Sequence, residues 1–207
     1  MSRLMPPPSA RDHARGPADA PVTLVEYGDY ECPHCGTTYP VVRALERRFG
    51  DRLRFIFRNF PLTQVHPHAE HAAEAAEAAA HAGKFWEMYD RIFEHQAAMT
   101  DRDLAGYAAD LGVDPSVITH ALAAHTYAPR VKEDFMSGVR SGVNGTPTFF
   151  INGKKYDGDY DAGSLGDAIE EAIADATAFP QPFVKEAYSS ARVEVVRIGF
   201  GSFWISP

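Results

Sequence analysis

Cysteine is scarce in this chain of 207 residues, which contains only two. So few thiols exclude a framework of several disulfides and a zinc site made of four cysteines. Long apolar runs are missing as well, and no stretch is expected to span a bilayer. Positive charge is in deficit, since 20 lysines and arginines stand against 28 aspartates and glutamates. The resulting net charge of -8 argues against nucleic acid as a partner.

The beginning of the chain lacks the apolar segment that a secretory signal requires. Residues 1–19 contain scattered arginines and a run of three prolines instead. We therefore predict a flexible leader over residues 1–19. The same observation predicts a cytoplasmic location, or a periplasmic or extracytoplasmic one if a signal sequence has been removed.

The two cysteines stand close together in the motif Cys32-Pro33-His34-Cys35. They follow a run of strand character and open a helix predicted over 33–49. Two thiols at this spacing close into a disulfide and reopen by thiol exchange. At a helix N-terminus Cys32 faces unpaired backbone N–H groups and the positive end of the helix dipole, which favour its thiolate. The motif therefore predicts a redox centre in which Cys32 attacks and Cys35 resolves.

Three neighbouring side chains are expected to tune this pair. His34 adds a cationic or hydrogen-bonding contribution to the thiolate, whereas Glu31 disfavours a second negative charge beside it. Glu26 is a carboxylate within the otherwise apolar strand predicted over 21–28. It is either a proton carrier whose pKa is raised by desolvation, or a side chain that turns to solvent or pairs with an arginine.

Two other interpretations of the cysteine pair are less favoured. A zinc site needs further ligands, and although nine histidines are available, no second C-x-x-C accompanies the cysteine pair. A purely structural disulfide would close only a short loop and stabilise the fold little. His66, His68 and His71 cluster around Pro67, but the start of a helix there gives them different geometries, so surface or capping roles are expected. We predict no metal site and no cofactor.

The hydrophobic periodicity predicts an α/β fold with a mixed central sheet flanked by helices. Strands are predicted over 21–28 and 52–60 with a helix between them, an order that implies a parallel pair joined by a right-handed crossover. Asn152-Gly153 is a strong hairpin signal between two further strands. A final amphipathic helix follows this hairpin and is expected to cover the sheet.

An all-helical segment separates the two strand pairs. Within it Glu70, Glu74, Glu77 and His81 recur at helical spacing, and we expect this face to be solvated. Residues 179–207 lie beyond the last predicted helix. They include a strand-like stretch and an aromatic pair, and are expected to pack on their own domain, although an added edge strand or a dimer contact is also open.

Two motifs carry a resemblance to a known family. One is the stretch 29–35, which contains the cysteine pair, and the other is the stretch 145–150, with the sequence Gly-Thr-Pro-Thr-Phe-Phe. Together they resemble the thioredoxin-fold oxidoreductases of the DsbA-like family over about residues 20–178. The boundaries this predicts are a thioredoxin-like domain over 20–62 and 143–178, an all-helical insertion domain over 63–142, and a C-terminal extension over 179–207.

The resemblance implies a role for each matching residue. Cys32 forms the mixed disulfide and Cys35 resolves it, while the two residues between them set the redox poise. Thr146 and Pro147 belong to the loop that faces the disulfide, with Pro147 in cis so that neighbouring backbone pairs with an extended substrate. Glu26 falls where the family often carries a buried acid.

The predicted function is that of a thiol-disulfide oxidoreductase that exchanges disulfides with protein or peptide substrates, as a DsbA-like disulfide oxidase. Besides these substrates, an unidentified redox partner is expected. Two alternatives stay open. One is a cytosolic disulfide reductase or isomerase, and the other is a redox-sensing module that binds clients or acts like a chaperone.

Overall fold

The computed structural model describes residues 2–178, which form one five-stranded sheet with helices on both faces. The strands are β1 (His13–Arg15), β2 (Val22–Gly28), β3 (Leu53–Asn59), β4 (Thr148–Ile151) and β5 (Lys154–Lys155). The helices are α1 (Pro33–Phe49), α2 (Ala69–Ala80), α3 (Phe85–Glu94), α4 (Asp101–Asp110), α5 (Pro115–Ala123), α6 (Ala128–Arg140) and α7 (Ala162–Ala178).

Strand β2 lies at the centre of the sheet, whose order is β1-β3-β2-β4-β5. It pairs in parallel with β3 and antiparallel with β4, which confirms the predicted mixed sheet. In this register Glu26 stands opposite Phe57 on one side and Phe149 on the other. The central strand therefore carries an acid between two aromatic neighbours.

The two faces of the sheet bury different side chains. Because side chains alternate along a strand, Leu24 and Phe55 point into the larger core, which includes apolar residues of α1, α3 and α7. Val25, Ile56 and Phe150 point the other way, into a smaller cluster completed by the N-terminal segment and α6. Burial on both faces explains why β2 and β3 read as nearly continuous apolar runs.

The N-terminal segment is part of the fold, so the predicted flexible leader over 1–19 is wrong for the residues that the structure describes. Strand β1 pairs antiparallel with β3, and Leu4 is buried in the smaller core. Arg58 of β3 donates from Nε to Asp12 Oδ1 at 2.7 Å. An arginine on a buried strand needs a carboxylate, and the N-terminal segment supplies one that local sequence patterns do not reveal.

Replacing Asp12 with alanine is expected to lower the free energy of unfolding by about 3 kcal/mol, because the Arg58 guanidinium would stay buried without its carboxylate. The two side chains of this pair are only 3% and 5% exposed. Glu133→Ala is the control, since the Arg11–Glu133 pair is 71% and 54% exposed and should contribute about 0.5 kcal/mol or less. Urea unfolding measures both losses. Equal stability of Asp12→Ala and the wild type would contradict a structural role for this ion pair.

Helix α2 does not present the solvated face that was predicted. Glu74 is fully buried and Glu77 nearly so, whereas Glu70 is half-buried and His81 exposed. The helix contacts α3, α5 and α6, and its many alanines let these neighbours approach closely. Each buried acid therefore needs an internal partner. Glu77 bonds to Asn59 Nδ2 and a histidine ring, each at 2.9 Å.

Helices α2 to α6 follow one another between β3 and β4. Thr100 and Asp114 cap α4 and α5 through their side chains. The division into domains at 20–62, 63–142 and 143–178 stays a prediction. The C-terminal extension predicted over 179–207 lies outside the described residues. Within 2–178 the structure has no helix long and apolar enough to cross a membrane.

Candidate active site

The cysteine pair lies at the start of α1, just after the end of the central strand β2. Cys32 is the N-cap of α1, with extended backbone angles, and Pro33 occupies the first helical turn. Cys32 N–H donates to Asp29 O at 3.2 Å, and Gly36 N–H donates to Cys32 O at 3.1 Å. Both cysteines are free thiols, with Cys32 3% exposed and Cys35 fully buried. Both sulfurs are thus withdrawn from solvent, and the assignment of Cys32 as the attacking thiol and Cys35 as the resolving thiol stays a prediction.

The two thiols have very different acidities. A hydrogen bond from the Cys35 thiol is the main cause that lowers the pKa of Cys32 to about 5, against the opposing effect of burial. Thr146 and the backbone N–H groups of Cys35 and His34 add to the lowering. Burial raises the pKa of Cys35 well above its ordinary value, helped by its hydrogen bond to Cys32 and by the charge of Glu26. At neutral pH the pair therefore holds one thiolate, on Cys32.

His34 acts on the thiolate through its backbone in this structure. Its side chain is exposed, and its N–H group is among the donors that lower the pKa of Cys32. Glu31, expected to oppose the thiolate, instead accepts a hydrogen bond at 2.6 Å from the backbone N–H of His68, next to the start of α2. The start of a helix favours an acid, so Glu31 has a second role that its position beside Cys32 does not suggest.

The loop before β4 contacts the Cys32 thiol. Cys32 Sγ lies 3.4 Å from Thr146 O, to which it donates a hydrogen bond when it is protonated. The Thr146–Pro147 peptide bond is cis, the conformation that the resemblance implies. Thr148 Oγ1 donates to Gly145 O at 2.8 Å and fixes the loop. Within 2–178 the buried hydroxyl oxygen of Thr146 has no hydrogen-bond partner, so its proton is available to the Cys32 thiolate. The cysteine pair and Pro147, far apart in sequence, thus meet at one place.

Glu26 is buried behind the two thiols and is only 1% exposed. Burial, followed by the charge of Cys32, raises its pKa to about 8. One carboxyl oxygen, Oε2, has no hydrogen-bond partner among the described residues. Of the alternatives left open by the sequence, an outward turn and an arginine partner do not fit this position. A carboxyl group that stays protonated near neutral pH can carry a proton.

Gly28 makes room for this acid. A Cβ atom at this position would lie 2.3 Å from the Phe57 ring and 3.1 Å from Glu26 Oε1. Any larger residue would therefore displace the aromatic ring that stands opposite the carboxyl group in β3. The glycine at the end of β2 is required by packing.

Asp29 and His66 belong to the site, although the sequence analysis gave neither of them a role there. The buried Asp29 carboxyl group accepts from His66 Nδ1 at 2.7 Å and from the backbone N–H groups of Glu31 and Leu62, both at 2.8 Å. Its own N–H donates to Cys35 Sγ at 3.4 Å. Although burial lowers it, the pKa of His66 is raised overall by this bond to Asp29. The available signal was an acid directly after the central strand, where loop N–H groups need an acceptor.

Gln96 joins the helical segment to the motif and was also missed. Its Nε2 donates to Tyr30 O at 2.6 Å and to Cys32 O at 3.1 Å. Gly36 leaves the space for it, because a Cβ there would lie 1.8 Å from the Gln96 amide oxygen. No local pattern identifies such a residue, since its amide hydrogen bonds go to backbone oxygens more than 60 residues away in sequence.

The three clustered histidines do not meet at a common centre. His66 bonds to Asp29, whereas His71 Nδ1 bonds to Asp101 at 2.6 Å. His68 precedes α2 and contributes its backbone N–H to Glu31. The structure thus assigns each of them a separate partner, as the irregular geometry around Pro67 predicts.

Comparison with known proteins identifies the fold. The family model described as thioredoxin matches residues 9–171. Oxidised BdbD from Bacillus subtilis superposes with a TM-score of 0.75 at 25% identity, covering 84% of this chain and 100% of its own. The alpha-DsbA1 structure from Wolbachia pipientis gives 0.74 at 18% identity, covering 87% of this chain and 100% of its own. The predicted thioredoxin-like fold is confirmed.

A curated relative is much longer than the matched region. The Na(+)/H(+) antiporter NhaA 1 of Salinispora arenicola is 46% identical over 171 residues, which make up 83% of this chain and 26% of the antiporter. The first relatives found all share this proportion, so the chain spans about a quarter of their length.

Proposed function

This chain belongs to the thioredoxin family and has the DsbA-type form of that fold, and from this premise we propose that it exchanges disulfides with protein substrates as a disulfide oxidase. The observation that carries the proposal is the asymmetry of the thiol pair. The pKa of Cys32 is lowered to about 5, while burial raises that of Cys35. A thiol that leaves easily as thiolate makes its disulfide a good oxidant.

The proposed reaction has two exchange steps. A substrate thiolate attacks Cys32 Sγ in the closed disulfide, so the Cys32–Cys35 bond breaks and its electron pair goes to Cys35 Sγ. The second substrate thiolate then attacks the substrate sulfur of the mixed disulfide and releases Cys32 as thiolate. Two electrons pass from substrate to enzyme, which is left as a dithiol. An external redox partner must reoxidise it.

Glu26 is proposed to supply the proton that the first step requires. Cys35 leaves as a thiolate in a buried place, where the charged form is unfavourable and its pKa is raised. Glu26 is buried beside it and holds a proton up to about pH 8. Transfer of that proton to Cys35 neutralises the thiolate without admitting water. A positioned acid or base of this kind contributes roughly 100-fold to such a step.

The loop at Thr146 and Pro147 is proposed to bind the substrate. Its backbone lies against the Cys32 sulfur, the atom that joins the substrate in the mixed disulfide. An extended peptide held there through main-chain hydrogen bonds would be recognised by shape and backbone more than by side chain. Such recognition suits an enzyme that acts on many proteins.

Substitution of each cysteine tests the proposal. Cys32→Ser should reduce dithiol oxidation of an unfolded reduced protein to the uncatalysed rate, a loss of roughly 1,000-fold or more. Cys35→Ser should instead accumulate a covalent mixed disulfide with the substrate, because the resolving thiol is missing. Mass spectrometry under non-reducing conditions detects the adduct.

Thr37→Ser is the matched control for these variants. Thr37 is exposed one turn further along α1, and its hydroxyl bonds to Pro33 O, a contact that serine can keep. Its activity should equal that of the wild type. Retention of activity in Cys32→Ser would refute the enzymatic proposal.

A second candidate is a redox-sensing module, and one observation favours it. The region similar to this chain forms about a quarter of proteins named as Na(+)/H(+) antiporters. A module of this kind would report the redox state to a membrane transporter or another client. Client binding that persists in the Cys32→Ser/Cys35→Ser protein, together with no catalysis in the wild type, would favour it over the oxidase.

A further inference from the structure

A second group of reactive side chains lies in the helical segment. His71 and Glu74 stand one turn apart on α2, and His125 projects from the connection between α5 and α6. One nitrogen or oxygen atom from each of the three lies within 4.8 Å of the others. The redox mechanism uses none of them.

Glu74 is an unusual residue in this position, because it is 0% exposed on an alanine-rich helix. Its Oε1 contacts His125 Nδ1 at 3.0 Å, and its Oε2 accepts from Tyr127 N–H at 3.2 Å. A buried carboxylate is retained only where a cation or several donors compensate for its lost hydration. The partner at hand, His125, has a side chain 59% exposed, so the group opens to solvent on that side.

Asp101 orients the His71 ring through a hydrogen bond to one of its two nitrogens. His71 Nδ1 and Asp101 Oδ1 are 2.6 Å apart, and Asp101 is the first residue of α4. With Nδ1 donating to this carboxylate, the lone pair of His71 is left on Nε2. Histidines that bind metals typically donate their other ring nitrogen to a carboxylate in this manner.

We propose that His71, Glu74 and His125 form a binding site for a divalent transition-metal ion of the zinc type, with Asp101 orienting His71. Two imidazoles and one carboxylate are a donor set that suits zinc, whereas calcium and magnesium require oxygen ligands. Three protein ligands leave a fourth position for water on the exposed side. Ligand atoms around a tetrahedral zinc ion lie about 3.3 Å apart, so a small inward rotation of the histidines closes the site.

The bound ion would join parts of the helical segment that are distant in sequence. It would link α2 to the α5–α6 connection directly, and through Asp101 to the start of α4. An ion that binds the folded chain and not the unfolded one stabilises the fold. The role of the site would therefore be structural and separate from thiol chemistry.

Zinc titration of the oxidised protein, in competition with a chromophoric chelator, tests the site. Oxidation closes the Cys32–Cys35 pair and removes the other strong zinc ligands. The wild type should bind one zinc ion, and His71→Ala and His125→Ala should each lose more than about 100-fold in affinity. Asp101→Asn should lose about 10- to 100-fold, as expected for a residue that orients a ligand.

His120→Ala is the matched control, because His120 is exposed on α5 and lies outside the cluster. It should bind zinc like the wild type. Zinc should also raise the midpoint of thermal unfolding of the wild type and of His120→Ala but not of His125→Ala. Absence of stoichiometric binding by the oxidised wild type, or unchanged affinity in both His71→Ala and His125→Ala, would overturn the proposal. Neither result would bear on disulfide exchange.

Discussion

Glu26→Gln is expected to stabilise the dithiol protein progressively as the pH rises from 4.5 to 8. The folded protein keeps the Glu26 carboxyl group protonated up to about pH 8, whereas the unfolded chain gives up this proton above the ordinary pKa of 4.5. The raised pKa thus provides stability that is fully present below pH 4.5 and lost by pH 8. At about 1.4 kcal/mol per pH unit, the loss amounts to roughly 5 kcal/mol.

Denaturant unfolding of the two reduced proteins at several pH values measures this effect. Glutamine does not titrate, so the stability of Glu26→Gln relative to that of the wild type should rise with pH. Burial of the glutamine amide shifts this difference by a constant amount but does not change its dependence on pH. Glu171→Gln, at an exposed position of α7, is the control and should leave the pH dependence of stability unchanged. Parallel pH profiles of Glu26→Gln and the wild type would show that Glu26 ionises normally and is no proton carrier.

The dithiol form is expected to gain stability over the disulfide form between pH 5 and pH 9. Folded Cys32 loses its proton near pH 5, whereas the unfolded chain holds it to about 9, so the thiolate contributes stability above pH 9 that is lost as the pH falls through 5. After allowance for solvent screening of the thiolate, the gain is about 2–4 kcal/mol. Such a gain raises the reduction potential by roughly 40–90 mV.

Equilibration with glutathione measures that potential, and thiolate absorbance in the same samples measures the titration of Cys32. If the protein is an oxidase, its reduction potential should lie well above that of the cytosolic glutathione pool, roughly -220 to -320 mV. Cys32→Ser, which cannot form the thiolate, should show no absorbance change near pH 5. A potential at or below that of the glutathione pool would contradict oxidation and favour a cytosolic reductase.

The sequence was sufficient to predict the thiol pair and the helix that it opens because the signals are local. Two cysteines at the mouth of an amphipathic helix, after an apolar strand, determine their own geometry. The same holds for the hairpin at Asn152-Gly153, whose turn residues fix the register of β4 and β5. The approach of Pro147 to Cys32 came from the resemblance, since no local pattern brings two segments so far apart together.

What the sequence could not predict are residues whose partners lie far along the chain. The alanine-rich periodicity of α2 is compatible with an exposed acidic face, and only the helices packed around it bury Glu74 and Glu77. Gln96 bonds to backbone carbonyl groups at the motif, and Asp29 donates its own backbone N–H to Cys35, so neither contact leaves a trace in residue type. His66 reaches the motif only through the Asp29 carboxyl group. The ordering of the N-terminal segment likewise depends on Asp12 finding Arg58 across 46 positions.

Strand β1 has one further consequence, for the behaviour of the protein in a crowded solution. The outer edge of β3 would otherwise present a row of unpaired N–H and C=O groups, which invite pairing with strands of other molecules. Three residues, His13–Arg15, occupy that edge along its central part. By pairing with this edge, the short N-terminal strand hinders self-association through β3, which belongs to the apolar parallel pair at the centre of the sheet.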